Sequence, residues 1–270
     1  VRVEKTGPIH VELISIGREI LRGNIPDSNA VHLAGHLSRR GALVHRITAV
    51  DDSDRAITSA ITEALERESH LVVTTGGLGP TADDRTLGAL ADALKRPLAV
   101  HPHAREMVES AYRRLHERGL VALEGMTAAR QKICSLPIGS EPVPNAVGTA
   151  PGVLVRLPGG AAVLCLPGVP EEMRAVFDAA IPMLKDLIPN AHVARREVEA
   201  PTADESALRP LLDRMSEEFP AVWVKSHAPG FGSENVLIRV TLEASARTRQ
   251  EAETMVEGAL RRLLALAARG

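Results

Sequence analysis

The stretch LVVTT at 71–75 runs without alternation straight into the turn Gly76-Gly77-Leu78-Gly79-Pro80. Such a β-branched run marks a strand covered on both faces, which occurs in parallel sheets flanked by helices. The neighbouring sequence repeats the theme. Residues 11–16 read as a short apolar strand ending at Gly17, and 28–40 as a helix capped by Ser28 or Asn29, with Leu33 and Leu37 on one face. Gly41 stops that helix, and 43–50 give a second strand. Asp51, Asp52 and Ser53 then open a helix whose stripe is Ile57, Ile61 and Leu65, and a further helix is predicted over 84–94. Strands alternating with helices at this spacing are βαβ units, so the expected fold is α/β, a doubly wound and mostly parallel sheet.

The middle of the chain is less periodic. Residues 102–118 and 127–133 read as helices, whereas 137–152 is rich in Pro and Gly with no usable period. A structureless connection of that length inside a compact domain is either a misassigned element or a functional loop. Strands at 153–157 and 162–166 flank Pro158-Gly159-Gly160 as a hairpin, and Pro170 begins a helix predicted to reach residue 187. Beyond Asn190 the order becomes β-α-β-β-α, from strands at 196–200, 222–225 and 236–242 and helices at 203–219 and 249–267. The expected domains are therefore 1–190, the α/β body, and 191–270, a small α+β subdomain.

Composition removes several function classes. The 270 residues are 44% hydrophobic and 24% charged, as in globular proteins, and no apolar run reaches the roughly 18 residues of a membrane span. A net charge of -2 argues against a nucleic-acid-binding domain. Two cysteines, Cys134 and Cys165, are too few for a disulfide framework, and residues 1–8 contain no apolar leader core, so a cytoplasmic protein is expected. Aromatic residues are only 2% of the chain, so a bound heterocycle is expected to meet aliphatic walls and backbone hydrogen bonds rather than stacked rings.

Ligands of open parallel sheets bind beyond the carboxyl ends of the strands. Three junctions compete for that place: Gly17, the turn at 76–79, and Pro167-Gly168. The glycine turn is the strongest, because its amides can approach an anion beside a helix N-terminus. Asp83 and Asp84 follow it. Thr81-x-x-Asp84 matches a capping box, which suits Asp83 and Asp84 as helix-start acids. Two carboxylates beside an anion site would also be served by a bridging Mg or similar divalent metal, and Asp84 is the candidate for that role. Asp52 either caps the helix after it or reaches toward the same site. Glu171 and Glu172 read as first-turn acids, and His32 and His36 as a solvent-facing pair. No arrangement for covalent catalysis stands out.

Three motifs together, TTGGLGPTADDRT (74–86), PNAVGTAPG (144–152) and LPGVPEEM (166–173), with SIGREILRGNIPDSNA before them, resemble the amino-terminal domain of the CinA family of competence/damage-inducible proteins. That domain belongs to the wider molybdopterin-binding superfamily, and the likeness covers about residues 10–190 well. The resemblance implies a nucleotide or pterin ligand. It also implies metal-dependent hydrolysis of the pyrophosphate of ADP-ribose or a related dinucleotide, with non-catalytic binding of a molybdopterin or nucleotide as the alternative. By the same likeness Gly76, Gly77, Gly79 and Thr81 belong to the phosphate cradle. Asp84 is the signature acid and metal ligand, and Asp52 the acid after the second strand. Asn145, Gly148 and Thr149 match the ligand-facing loop, and Pro167, Gly168 and Pro170 the second turn. Arg18 stands where many members carry Thr or Asn, and is expected either to add a phosphate contact or to block the pocket. A homo-oligomer is expected. Because the chain ends at Gly270, the deamidase domain of longer members, and with it nicotinamide mononucleotide deamidation, is not expected.

Overall fold

The computed structural model describes residues 9–188, 191–200, 202, 204–228 and 237–268. The reading of residues 1–8 and the boundary near Asn190 lie outside that set. The described residues fall into two compact units, those of 1–37 with 42–189, and those of 38–41 with 190–270.

The first unit begins with β1 (Ile9–Ile16), the short α1 (Arg18–Leu21), α2 (Ser28–Ser38), β2 (Ala42–Val50), α3 (Asp54–Glu66) and β3 (Leu71–Thr75). It continues through α4 (Thr86–Leu94), β4 (Leu98–Val100), α5 (Pro102–Glu117), α6 (Ala128–Ile133), β5 (Ser135–Pro137) and β6 (Ser140–Val143). The hairpin β7 (Gly152–Arg156) and β8 (Ala162–Leu166) and the helix α7 (Pro170–Ala180) complete it. The main sheet has the order β2-β1-β3-β8-β7-β6. Its first four strands run parallel, while β7 runs antiparallel to both its neighbours, β8 and β6. From β1 the chain crosses to β2 on one side, then to β3 on the other. This reversal places a crevice beyond the ends of β1 and β3.

Period-2 alternation explains the apolar runs. Leu13, Leu71, Val73 and Leu164 join one core with Leu33, Leu37 and Phe177. Their neighbours Ile14, Val72, Val163 and Cys165 join the opposite core with Ile57, Ile61 and Leu90. Both faces of β3 and β8 are covered, so every residue of these two strands is buried, and each large side chain contributes about 2 kcal/mol of transfer free energy.

Among the buried polar residues is a carboxylate inside an apolar strand. Glu12 of β1 is 1% exposed and accepts hydrogen bonds from Arg67 at 2.9 and 2.8 Å and from Ser69 at 2.8 Å. Burial alone would raise its pKa, but these donors and the Arg67 charge outweigh it and hold the carboxyl below its usual value.

Several expected elements need correction. The helix after the glycine turn starts at Thr86, not residue 84, with Arg85 at its N-cap, so neither Asp83 nor Asp84 caps it. The cap of α3 is Ser53, whose hydroxyl accepts from the Ala56 amide, and not Asp52. The cap of α2 comes from Asp27, which accepts from Ala30 at 3.0 Å, rather than Ser28 or Asn29. The helix at Pro170 gives way to a 3-10 turn at Ile181–Leu184, because Pro182 has no N–H to continue the α ladder. Within 137–152 lies β6, a strand hidden by Pro142, which an edge position tolerates. His32 and His36 are half-buried with rings stacked at 4.1 Å, not solvent-facing.

The second unit contains β9 (His192–Glu199), α8 (Glu205–Glu218), β10 (Trp223–His227), β11 (Arg239–Ala246) and α9 (Arg249–Ala267). Its antiparallel sheet has the order β10-β11-β9. Leu208, Met215, Val240, Leu242, Val256 and Leu263 form its own core. Residues 203 and 236, predicted to start a helix and a strand, lie outside the described set.

Candidate functional site

The carboxyl ends of β1, β3 and β8 stand side by side because those strands are neighbours in register, Ser15 beside Thr75 and Thr75 beside Leu166. Their three following turns are therefore brought together. The Gly76 amide donates to the Leu166 carbonyl at 3.0 Å, and the Gly17 amide to Val50 at 3.1 Å. A Cβ on Gly168 would lie 3.3 Å from the Gly76 Cα, so two glycine backbones pack face to face.

The turn needs its glycines. Gly76 has φ +103° and a Cβ there would sit 2.3 Å from the Ile16 carbonyl. Gly77 has φ +67° and a Cβ would sit 2.3 Å from the Thr86 hydroxyl, which itself donates to the Gly76 carbonyl at 2.7 Å. At Gly79 the constraint is space: a Cβ would fall 2.6 Å from Oδ2 of Asp84.

A cavity of about 860 Å³ opens on this turn, within the range of small-molecule sites. Of the residues singled out from sequence, Arg18, Asp52, Gly76, Gly77, Gly79, Asp84, Thr149, Pro167 and Gly168 line it. Thr81, Asn145, Gly148 and Pro170 do not line it. Thr81 instead donates to Asp84 Oδ2 from its amide at 2.8 Å and its hydroxyl at 2.7 Å, and its carbonyl accepts from the Lys132 ammonium. The Thr81-x-x-Asp84 spacing thus orients the acid inside the turn. Asn145 is engaged within its own loop. It donates to the Ala150 carbonyl at 2.8 Å and to Glu172 at 2.6 Å, and accepts from the Val147 and Gly148 amides at 3.1 and 2.8 Å. Pro170 opens α7, which carries Glu172.

The electrostatics are mixed. Asp52 accepts from the Arg18 amide at 2.9 Å, and the Arg18 guanidinium is paired with Asp51 at 2.8 and 3.2 Å. That hydrogen bond holds Asp51 below the usual carboxylate range and raises Arg18. Arg18 therefore sits at the rim already paired. Asp83, Glu19 and Glu172 are further acids of the lining, none of them assigned to the site from sequence. Asn29, which donates to the Gly168 carbonyl at 2.8 Å and so fixes the second turn, was also missed. Glu172 had one readable signal: side chains of a helix's first turn point back toward its N-terminus, and this N-terminus follows a strand at the ligand edge. Burial pushes the thiols of Cys134 up to about 11 and Cys165 up to about 12, so neither is a nucleophile near neutral pH.

A glycine turn, three strand ends and a polar cavity at a strand-order reversal define a ligand-binding α/β domain. The family model described as probable molybdopterin binding domain matches residues 12–186, and the chain belongs to that family. A protein of Pyrobaculum calidifontis is 39% identical over 94% of this chain and 94% of its own length. One of Aeropyrum pernix is 40% identical over 93% and 91% respectively. A solved structure described as the protein CinA, of unknown function, from Thermoplasma acidophilum is similar with a TM-score of 0.58 and 37% identity, covering 66% of this chain and 99% of that one. No helix among the described residues is long and apolar enough to cross a membrane.

Proposed function

We propose that the cavity binds the diphosphate of a nucleotide and that the protein hydrolyses the pyrophosphate bond of ADP-ribose or a related dinucleotide, as the likeness to CinA suggests. The observation that carries this reading is the juxtaposition of the Gly77–Gly79 backbone with the Asp52, Asp83 and Asp84 carboxylates in one cavity, the Gly76 amide being already bonded to the Leu166 carbonyl. Backbone donors suit an anion, whereas the acids suit what must accompany it.

The donor set bears on a divalent metal. Among the described residues no group of three His, Cys, Asp or Glu side chains converges as a metal cage. Magnesium held through one or two carboxylates and completed by substrate phosphates needs no such cage, and Asp84, aided by Asp83, fits that mode. When bound, the ion supplies charge neutralisation at the diphosphate and a more acidic water. The chain's own residues do the rest. The amides of Gly77, Leu78 and Gly79 bind phosphate oxygens, Thr81 fixes the Asp84 carboxylate, and the Arg18 amide fixes Asp52. Thr149 and the Pro167-Gly168 turn shape the wall opposite.

A second reading, binding of a molybdopterin or nucleotide without turnover, is favoured by the family description and needs the same cradle. Incubation with ADP-ribose, FAD and NAD, with and without magnesium or manganese, separates the two. Release of AMP only with metal supports hydrolysis, while tight binding without product supports the second reading. The homo-oligomer is part of the same proposal and is read by light scattering.

A further inference from the structure

Glu172 occupies the third position of α7, where an acid at a helix start needs no further explanation. Its surroundings give it more than that. Oε2 accepts from Asn145 Nδ2 at 2.6 Å, and the other three hydrogen bonds of the Asn145 amide are fixed by the 145–150 backbone. Gly148 keeps space over the carboxylate, since a Cβ there would fall 1.8 Å from Oε2 and 2.5 Å from Oε1. Oε1 accepts no hydrogen bond among the described residues, and Glu172 lines the same cavity as the glycine turn.

A carboxylate only accepts hydrogen bonds and repels a bare phosphate, and Asp84 with Asp83 already serves the metal that would accompany the diphosphate. Glu172 matches the part of a nucleotide that offers adjacent donors, the vicinal hydroxyls of ribose. A carboxylate reading ribose hydroxyls is the solution other dinucleotide-binding α/β folds reach with an acid on a different strand. We propose that Glu172 reads the ribose diol of the bound nucleotide and is a specificity-determining residue of this cavity. The proposal rests on the phosphate-cradle reading above.

Calorimetry on the full chain tests it with three probes: ADP, 2′,3′-dideoxy-ADP and inorganic pyrophosphate. Glu172→Gln keeps an acceptor for Asn145 and removes the charge. It is expected to weaken ADP about tenfold, the scale of one charge-assisted hydrogen bond, while dideoxy-ADP and pyrophosphate stay within about twofold. Gly148→Ala keeps the charge but displaces the carboxylate, and is expected to give the same pattern, with the fold checked by circular dichroism. If Glu172→Gln weakens all three probes alike, Glu172 merely holds the loop and the proposal fails. An unchanged ADP affinity overturns it as well. If the wild-type chain binds neither ADP nor pyrophosphate, the cradle reading itself falls and takes this proposal with it.

Discussion

Thr81 grips Asp84 twice, with its amide at 2.8 Å and its hydroxyl at 2.7 Å, both on the same carboxylate oxygen. No hydrogen bond among the described residues engages the other oxygen of Asp84. The acid is therefore aimed by the turn and has no part in starting α4. Asp84→Asn should abolish hydrolysis and leave stability within about 1 kcal/mol of wild type, the worth of one neutral hydrogen bond. Turnover by the mutant at the wild-type rate, read from AMP release, removes Asp84 from the chemistry.

Two glycines of one turn should fail in different ways. Gly79→Ala sets a methyl 2.6 Å from Asp84 Oδ2, a side-chain end that can swing aside. Affinity for ADP should fall about tenfold with less than about 1 kcal/mol of lost stability. Gly76→Ala instead meets the Ile16 backbone carbonyl at 2.3 Å with φ +103°, so it should cost about 2 kcal/mol or more. Chemical denaturation of both variants, beside calorimetry, shows whether the two effects separate.

The turn itself was readable because a strand covered on both faces has no alternation, and LVVTT ends where the glycines begin. Helix starts were less legible. Thr81 and Asp84 have the spacing of a capping box, and only the structure shows that the helix begins two residues later, at Thr86. Glu172 and Asn145 lie 27 residues apart, so their hydrogen bond depends on β7 and β8 folding back between them. Local pattern carries no trace of that. Glu12 escaped for a related reason. Its partner Arg67 is 55 residues away, and an acid inside an apolar strand is readable only once the partner is known.

That buried pair gives a pH prediction. The folded-state pKa of Glu12 is depressed, so its contribution is fully present above the unfolded value near 4.5 and is lost as pH falls through the folded value. Glu12→Gln should cost about 3 kcal/mol at pH 7, the low end for a buried pair because Arg67 remains 33% exposed. The gap between mutant and wild type should narrow as the pH falls below 4. Urea unfolding at pH 7, 5 and 3 tests this, and a constant gap over that range would contradict it.

Residues 1–190 should fold alone. Among the described residues, the two cores of the first unit include none beyond Ile188, and the third core none before Ala194. A 1–190 fragment should therefore unfold cooperatively and bind ADP within about threefold of the full chain, about 0.6 kcal/mol. A fragment without a cooperative transition would show that the core is incomplete.

The sheet edge is proposed to recognise phosphate before base, through the Gly77–Gly79 amides and the acids around them. With only 2% aromatic residues, little stacking is available to a base. Calorimetric competition among ADP-ribose, ADP, FAD and adenosine, in the presence of magnesium, is the most direct measurement. The three diphosphates should fall within about tenfold of one another, near 1.4 kcal/mol, with adenosine far weaker. Adenosine binding as tightly as ADP-ribose would contradict recognition through the phosphates.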